Sequence, residues 1–484
     1  MKELRAIDAR EALGAFKHPD EAAIDALLAE KLSSFDRKIV VLDDDPTGVQ
    51  TVHDIYVYTD WRAETLREAF AAPERMFFIL TNSRGMTAAE SRRQHEIIAE
   101  NVAAASRESG KDYVLISRSD STLRGHYPLE TETLRSVIEE KSAKRFDGEI
   151  IFPFFREGGR FTIGDVHYVR EGDKLVPAGM TEFARDKSFG YRSSDLCEWC
   201  EEKTSGRFRA EDVISISLDE LRGMRTHEIA EKLKTVRGFN KVIVNSIDYC
   251  DVKVFALAYL EAVQAGREFM FRSAAAVTKV LGAVPDQPLL RRADLVTEGS
   301  EAGGLIVVGS HVNKTSRQLE RLRSCRYPIE FIEFDQHRVL VEGGLEAERD
   351  RVVALTEKAI SEGRTAAVYT RRERLDLDTA DADRQLEVSL KISDAVTGIV
   401  SGLSTRPSFI IAKGGITSSE IGTKALKVRR ALVKGQVRPG IPVWQTGEES
   451  KFADMPYIIF PGNVGTEDDL KDIVEALMEK KQDK

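Results

Sequence analysis

Nine residues, Arg118 to His126, carry two guanidinium groups, a carboxylate, three hydroxyls, a glycine and an imidazole. A turn that only reverses the chain has no need of two arginines beside an aspartate. A turn that grips an oxygen-rich anion does, because a guanidinium fork matches carboxylate and phosphate geometry. A strand-end ion-pair network is the competing account. A second cluster, Asp43-Asp44-Asp45 followed by Pro46, Thr47 and Gly48, sets carboxylates side by side. Such neighbours repel unless a cation, a basic side chain or solvent compensates them. One could be a general base toward a hydroxyl, or could hold Mg²⁺ directly or through water. The plainer alternative is a solvated strand end with one aspartate capping the turn. Arg84 closes a third cluster that starts at Thr81, and Gly158-Gly159-Arg160 opens a fourth. Those glycines would let the backbone approach a ligand, or form an ordinary hairpin turn.

Each cluster follows a short apolar run. Lys38 to Leu42, Met76 to Leu80, Tyr113 to Ile116 and Ile150 to Phe155 read as strands. A helical pattern through Ala88 to Ser106 and another from Leu129 separate them. Strands alternating with helices argue βαβ units and a largely parallel sheet. Parallel strands would bring all these clusters to one sheet edge, where open α/β sheets bind ligands. Ile55 to Thr59 is a further strand of this first series, and Ala22, Ile24, Leu27, Leu28 and Leu32 fit an amphipathic helix ahead of it. Asp212 to Ser217, Lys241 to Ser246 and Phe269 to Ser273 extend the series, with a helix over Val252 to Gln264.

A second alternating series begins at Gly304. Leu305 to Val308 runs into Gly309-Ser310 and a helix from Thr315, Phe409 to Ala412 into Gly414-Gly415-Ile416-Thr417, and Tyr457 to Phe460 into Pro461-Gly462 and Gly465. A helix is expected from Glu420. Glycines and hydroxyls where a strand meets a helix can cradle a phosphate, since free backbone N–H groups and the helix dipole favour an anion. Neither a Walker A motif nor a Gly-x-Gly-x-x-Gly after a strand occurs. Ile329 to Phe334, Ala366 to Tyr369 and Val443 to Gln445 are the other strands of this half.

The expected organisation is two α/β domains with largely parallel sheets and a ligand site in the inter-domain cleft. Its boundaries are an N-terminal helical extension over 1–35, an α/β domain over 36–275, a linker over 276–300 and a second α/β domain over 301–484. A chain of 484 residues is too long for one ordinary core. The net charge of −9 argues against a nucleic-acid partner. No apolar run is long enough to span a bilayer, so no membrane partner is expected. Four cysteines make no disulfide framework, and the expected location is cytoplasmic. Cys197 and Cys200 lack the further ligands of a zinc site and read as helical spacing on a surface segment.

The strings Asp43-Asp44-Asp45-Pro46-Thr47-Gly48 and Asp120-Ser121-Thr122-Leu123-Arg124-Gly125, with the Gly414-Gly415 and Pro461 to Gly465 turns, give the chain its resemblance to the four-carbon acid sugar kinase family. The resemblance spans roughly residues 36 to 475, and the string from Asp120 to Gly125 is its most specific part. It implies an N-terminal domain for a sugar acid, a C-terminal domain for ATP, and phosphorylation of a hydroxyl on a tetronate, threonate, erythronate or 3-oxo acid. Carried over by motif, Asp44, Arg84, Asp120, Ser121, Arg124 and Arg160 would serve the substrate side, with Arg118 beside them. Ser310, Gly414, Gly415, Thr417 and Gly462 would serve the nucleotide. Asp44 or Asp120 is the expected base, with Asp44 favoured for the proton, and Arg124 the expected clamp. Mg²⁺ would ride on the ATP phosphates, and a homodimer is an open expectation. Many members have leucine at Pro46, lysine at Arg118 and an acidic residue at Ile416; the departures suggest a different substrate, such as a branched or oxo acid. A non-catalytic sensor of sugar acids or nucleotides, and an NAD-dependent hydroxyacid dehydrogenase, are the alternatives.

Overall fold

The structure, a computed structural model, describes residues 4–297, 299–373, 375, 382–462 and 464–479, with 382–386 described as backbone only. Met1 to Glu3 of the expected N-terminal extension, Asn463 of the last glycine turn, and 480–484 of the expected second domain lie outside the described residues. The chain divides into two units, Met1–Val52 with Asp60–Asp286, and His53–Thr59 with Gln287–Lys484.

Seven parallel strands form the main sheet of the first unit, in the order Ile214–Ile216, Asn240–Val244, Gly148–Phe152, Phe269–Ser273, Tyr113–Arg118, Lys38–Asp43 and Met76–Leu80. Most are buried along their whole length, which is why they read as continuous apolar runs rather than alternating ones. Register aligns their ends: Asp43 lies opposite both Leu80 and Arg118, and Arg118 opposite Ser273. The chain leaves Lys38–Asp43 toward one edge of the sheet and Tyr113–Arg118 toward the other. These two neighbours therefore flank a topological switch point, where a crevice opens beyond the strand ends. The helix Ala88–Ser109 starts at a capping box of Thr87 and Glu90 and stops at Gly110, whose φ of 68° ends the helical path.

This unit decides one choice that the sequence leaves open and contains elements that the sequence reading lacks. The glycines at 158 and 159 make a hairpin turn, with Phe155 and Arg160 exchanging backbone hydrogen bonds. That turn leads into a four-stranded antiparallel sheet of Ile7–Asp8, Lys174–Pro177, Val166–Glu171 and Arg160–Ile163, which the sequence reading did not contain. The N-terminal segment is built into this unit through that sheet and through the helix Glu21–Ser33. Ile24, Leu28 and Leu32 of the helix are buried, whereas Leu27 faces solvent. Cys200 is likewise in the core rather than on the surface, close to Trp199 and Tyr127.

In the second unit the sheet is mixed. Pro456–Phe460, Ile410–Lys413, Leu305–Val308, Thr365–Thr370 and Ile329–Phe334 run parallel in that order. Ile441–Thr446, Arg430–Arg438 and Ile55–Tyr58 continue the sheet antiparallel. The strand at Ile55 is thus a correction: it joins the second unit, away from the series in which the sequence places it. Arg430–Arg438 alternates between buried and half-exposed positions, the pattern of an antiparallel strand with one face outside the core, and a search for continuous apolar runs misses it. A helix begins at Gly415 and ends at Glu420, followed by one π-helical turn, Ile421–Ala425, so it starts earlier than the expected Glu420.

Candidate functional site

The strand ends of the first unit bring Asp44, Arg84, Arg118, Asp120 and Arg124 together. Arg84 stands on a single 3₁₀ turn, Ser83–Gly85, and its Nη2 lies 2.6 Å from Asp45 and 3.4 Å from Asp44. Its Nη1 lies 3.6 Å from Asp120. Arg118, at the end of its strand and 5% exposed, sets Nη1 at 3.2 Å from Asp43 and 3.9 Å from Asp44. Arg124 donates through Nε to Asp120 Oδ2 at 2.7 Å and lies 5.0 Å above the Phe183 ring. Arg160 reaches the same ring from its own strand, at 5.7 Å. Ser121 is buried, and its carbonyl accepts from His167 Nε2 at 2.8 Å, which leaves His167 Nδ1 to accept from Thr162.

Backbone conformation makes the fit possible. Gly48 lacks a side chain where the Asp43 carboxylate lies: a Cβ there would sit 1.8 Å from Asp43 Oδ2. At Gly125 the φ of 119° is one that side chains rarely adopt, and a Cβ would meet Arg272 Nη2 at 2.8 Å and Asp44 Oδ2 at 3.4 Å. Leu123 is held at φ 68°, an uncommon state for a bulky residue, and its side chain is buried in the core with Tyr127 and Trp199.

Burial and charge then separate the four aspartates. Burial pushes Asp44 up to about 6, against the pull of Arg84 and Arg118. Burial also lifts Asp43, to about 7, with Arg118 opposing and Asp44 and Asp45 adding to the rise. Asp45 is half-buried, and Arg84 with two hydrogen bonds from Thr47 outweighs its desolvation and holds it below the usual range. At Asp120 burial is overcome by Arg84, Arg124 and Thr122, and the carboxyl lies well below that range. Both Asp44 oxygens are buried without a hydrogen-bond partner among the described residues, as are Arg118 Nε, Arg160 Nε and Ser273 Oγ. Buried polar groups are normally satisfied, so the concentration of Asp44, Arg118 and Ser273 at one sheet edge marks hydrogen-bonding capacity held for something else. Two carboxyls, Asp43 and Asp44, are therefore raised toward neutrality, and of the two Asp44 alone has both oxygens without a hydrogen bond among the described residues, while Asp120 stays ionised beside Arg84 and Arg124.

Two contributors escaped the sequence reading. Arg272 donates to Glu130 at 3.1 Å and to the Arg124 carbonyl at 3.2 Å, and Glu130 also accepts from Ser83 at 2.5 Å. This buried pair ties the Arg84 turn to the Arg124 loop. Its signal was present: an arginine interrupts the apolar strand Phe269–Ser273.

In the second unit the register puts Val308, Lys413 and Phe460 side by side, so the three glycine turns share one edge. They pack without room for side chains. A Cβ on Gly309 would meet Thr417 Oγ1 at 2.2 Å, and one on Gly462 would meet Ser310 Oγ at 2.9 Å. Gly414, at φ 126°, caps the helix that Gly415 opens. Thr315 Oγ1 donates to the Gly462 carbonyl at 3.0 Å, and Lys413, fully buried, donates to the Pro461 carbonyl at 2.9 Å. Arg372, which the sequence reading also missed, donates to the Ser310 carbonyl at 2.8 Å while its buried Nη1 has no partner among the described residues. A cavity of about 330 Å³ opens beside Thr417, its lining including the apolar Ile416 and Val396 and the polar Gln336 and Thr370.

Comparison with known proteins follows the same division. A family description, Sugar-binding N-terminal domain, matches residues 39–281, half of the chain, and a second, Nucleotide-binding C-terminal domain, matches residues 305–470. Comparison with curated proteins returns no match. Among solved structures, a Salmonella typhimurium LT2 protein described provisionally as a tRNA synthase is 16% identical over 90% of this chain and 98% of its own, with a TM-score of 0.64. A Haemophilus influenzae protein of the DUF1537 family is 16% identical over 91% of this chain and 100% of its own, with a TM-score of 0.60. At such identities the likeness shows the fold alone. Among the described residues no helix is long and apolar enough to cross a membrane. The family descriptions, taken with the strings at Asp43 and Asp120 that first suggested it, establish that the chain belongs to the four-carbon acid sugar kinase family.

Proposed function

We propose that the protein is an ATP-dependent kinase that phosphorylates a hydroxyl of a four-carbon, or related branched or oxo, sugar acid. The observation that carries this reading is Asp44: a buried carboxyl raised to about 6, lacking hydrogen-bond partners among the described residues and flanked by Arg84 and Arg118. A general base works best with a pKa near the working pH. Asp44 would accept the proton of the attacking hydroxyl as that oxygen bonds to the terminal phosphorus and the bond to the leaving ADP breaks. Asp120, kept ionised, would hold Arg84 and Arg124 in place; those guanidiniums would bind the acid's carboxylate or the oxygens of the transferred group. Arg118 would act beneath, steadying Asp43 and Asp44. In the second unit the backbone around Gly309, Gly414, Gly415 and Gly462, with Ser310 and Thr417, would take the phosphates.

Mg²⁺ fits this reading as an ion that arrives on the nucleotide, because the carboxylates at the first unit's strand ends are already faced by guanidiniums. It would neutralise phosphate charge when bound. Among the described residues the one other group of possible ligands, His227, Glu231 and Glu261, already has Lys234 at 2.8 Å and 3.2 Å from its two carboxylates.

The test is ADP release with Mg²⁺·ATP across linear and branched four- and five-carbon acids, oxo acids included. Turnover should rise through about pH 6 as Asp44 ionises. Asp44→Asn should lower kcat by roughly 10²–10⁴-fold and remove that acid limb, with the acid still bound in calorimetry. Binding without turnover by the native chain across the panel would leave a sensor instead.

A further inference from the structure

Beside the Asp44 cluster, and still within the first unit, lies a cavity of about 610 Å³. Arg84 and Gly125 are among its lining residues, and Gly125 is the residue whose missing Cβ would lie 3.4 Å from Asp44 Oδ2. His126 and Lys203 line it as well. No aspartate or glutamate lines it.

Lys203 is the last residue of the helix Leu196–Lys203 and is half-buried. Its ammonium makes one long hydrogen bond, 3.4 Å to the Gly190 carbonyl, and no carboxylate lies within ion-pair distance of it among the described residues. Burial lowers its pKa, with Glu202 opposing that effect and Arg272 adding to it more weakly, so the amine is desolvated. His126 is held by its Nε2 on the Met86 carbonyl at 3.0 Å and by the edge-on Phe189 ring at 4.8 Å. A carbonyl only accepts, so Nε2 carries a hydrogen there. The balance differs from that at the strand ends. There each of Arg84, Arg118 and Arg124 faces an aspartate; here a cation faces a cavity.

We infer that this cavity is a second anion subsite and that the preferred substrate is a sugar acid with two anionic ends. One end would lie with the reacting hydroxyl near Asp44, and the other would pair with Lys203. The second anion would be a carboxylate or a phosphate, which share this chemistry. The inference rests on the kinase reading and narrows its substrate class.

ADP release would be compared for chain-matched monocarboxylic, dicarboxylic and phosphorylated hydroxy acids, with the native protein and with Lys203→Met and Lys203→Arg. A dianionic acid should exceed its monocarboxylic counterpart in kcat/KM by about tenfold or more, as expected for a charge-assisted contact in a partly desolvated site. Lys203→Met should collapse that ratio, chiefly through KM for the dianionic acid, and Lys203→Arg should restore most of it. Because the readout is a ratio within one preparation, a general loss of folded protein does not alter it. A preference for the phosphorylated over the dicarboxylic acid would support the subsite and assign phosphate to it. Equal kcat/KM for mono- and dianionic acids, or a ratio that Lys203→Met leaves intact, would overturn it. Should no acid release ADP, the kinase reading fails by itself. Calorimetry then decides the subsite: tighter binding of the dianionic acid that weakens in Lys203→Met supports it, and equal binding overturns it.

Discussion

The two units handle negative charge in opposite ways. In the first, ionised side chains do it: arginines at 84, 118 and 124 stand against aspartates at 43, 44, 45 and 120, and burial sets which carboxyl keeps a proton. In the second, the turns at Gly309, Gly414 and Gly462 offer backbone and hydroxyl groups, packed so closely that a Cβ at Gly309 would lie 2.2 Å from Thr417 Oγ1 and one at Gly414 3.2 Å from it. A site made of side-chain charge is tunable and pH-sensitive, since each pKa answers to its neighbours. A site made of backbone is indifferent to pH but intolerant of added atoms. The first suits discrimination among acids; the second suits a phosphate group common to every turnover.

The largest expected effect that separates them is Gly414→Ala. The residue has φ 126°, and the new Cβ would press on Thr417 Oγ1 at 3.2 Å and Ser310 Cβ at 3.3 Å. Strain of that kind costs about 1–3 kcal/mol, and relief would come by moving the turn. KM for ATP should rise about tenfold or more, with KM for the acid and the acid limb of the pH profile in place. An equal rise for both substrates would mean that the turn serves no nucleotide-specific role.

Arg84→Met addresses the other half. Arg84 is the main influence opposing the rise of Asp44 and contributes to holding Asp45 and Asp120 low. Without it the acid limb of kcat/KM should move upward from about pH 6, and KM for the acid should rise while KM for ATP holds. A pH–rate series between 5 and 9, on the order of the range over which such carboxyls titrate, reads both. An unmoved acid limb would remove Asp44 from the role of base.

Much of this arrangement could be read from the chain. Continuous apolar runs located the parallel strands because strands buried on both faces lose the period-two pattern and gain a length limit. The clusters after Leu42, Leu80 and Ile116 could be joined into one site because parallel strands share an edge. The order of strands across each sheet was not legible, nor was the transfer of Ile55–Tyr58 to the second unit, since pairing is a long-range choice that a local pattern does not record. Glu130 and Arg272 were missed for a related reason. Each sits in a helix or strand whose periodicity explains it away, and only packing shows that they face each other at 3.1 Å. Arg118 lies between these cases. Its place at the strand-end cluster is legible in the sequence, but its burial against Asp43 depends on a neighbouring strand.

The smallest expected effect concerns stability, where the Asp43 and Asp44 carboxyls of the first unit and Lys413 of the second should respond to pH with opposite sign. Asp43 and Asp44 have folded-state values near 7 and 6, above the ordinary 3.8. Their contribution is fully present below about pH 4 and is lost as pH rises through 6 and 7. Lys413 is the reverse case. Burial, with Lys314 adding to it, lowers its amine to about 7 from 10.5, so the unfolded chain binds the extra proton between those values and stability rises with pH across that window. Lys413→Met removes a buried amine that must lose its proton, yet also strands the Pro461 carbonyl that the amine satisfies at 2.9 Å. The lost hydrogen bond costs about 1 kcal/mol at any pH, whereas the relief from burying a charge exists only where the amine would be protonated outside the fold. The urea midpoint of Lys413→Met relative to the native chain should therefore be higher near pH 7 than near pH 10, about the ends of the interval in which a lysine so placed titrates. A constant offset between those pH values would show that Lys413 keeps an ordinary pKa, and that the second unit's turn rests on a charged lysine after all.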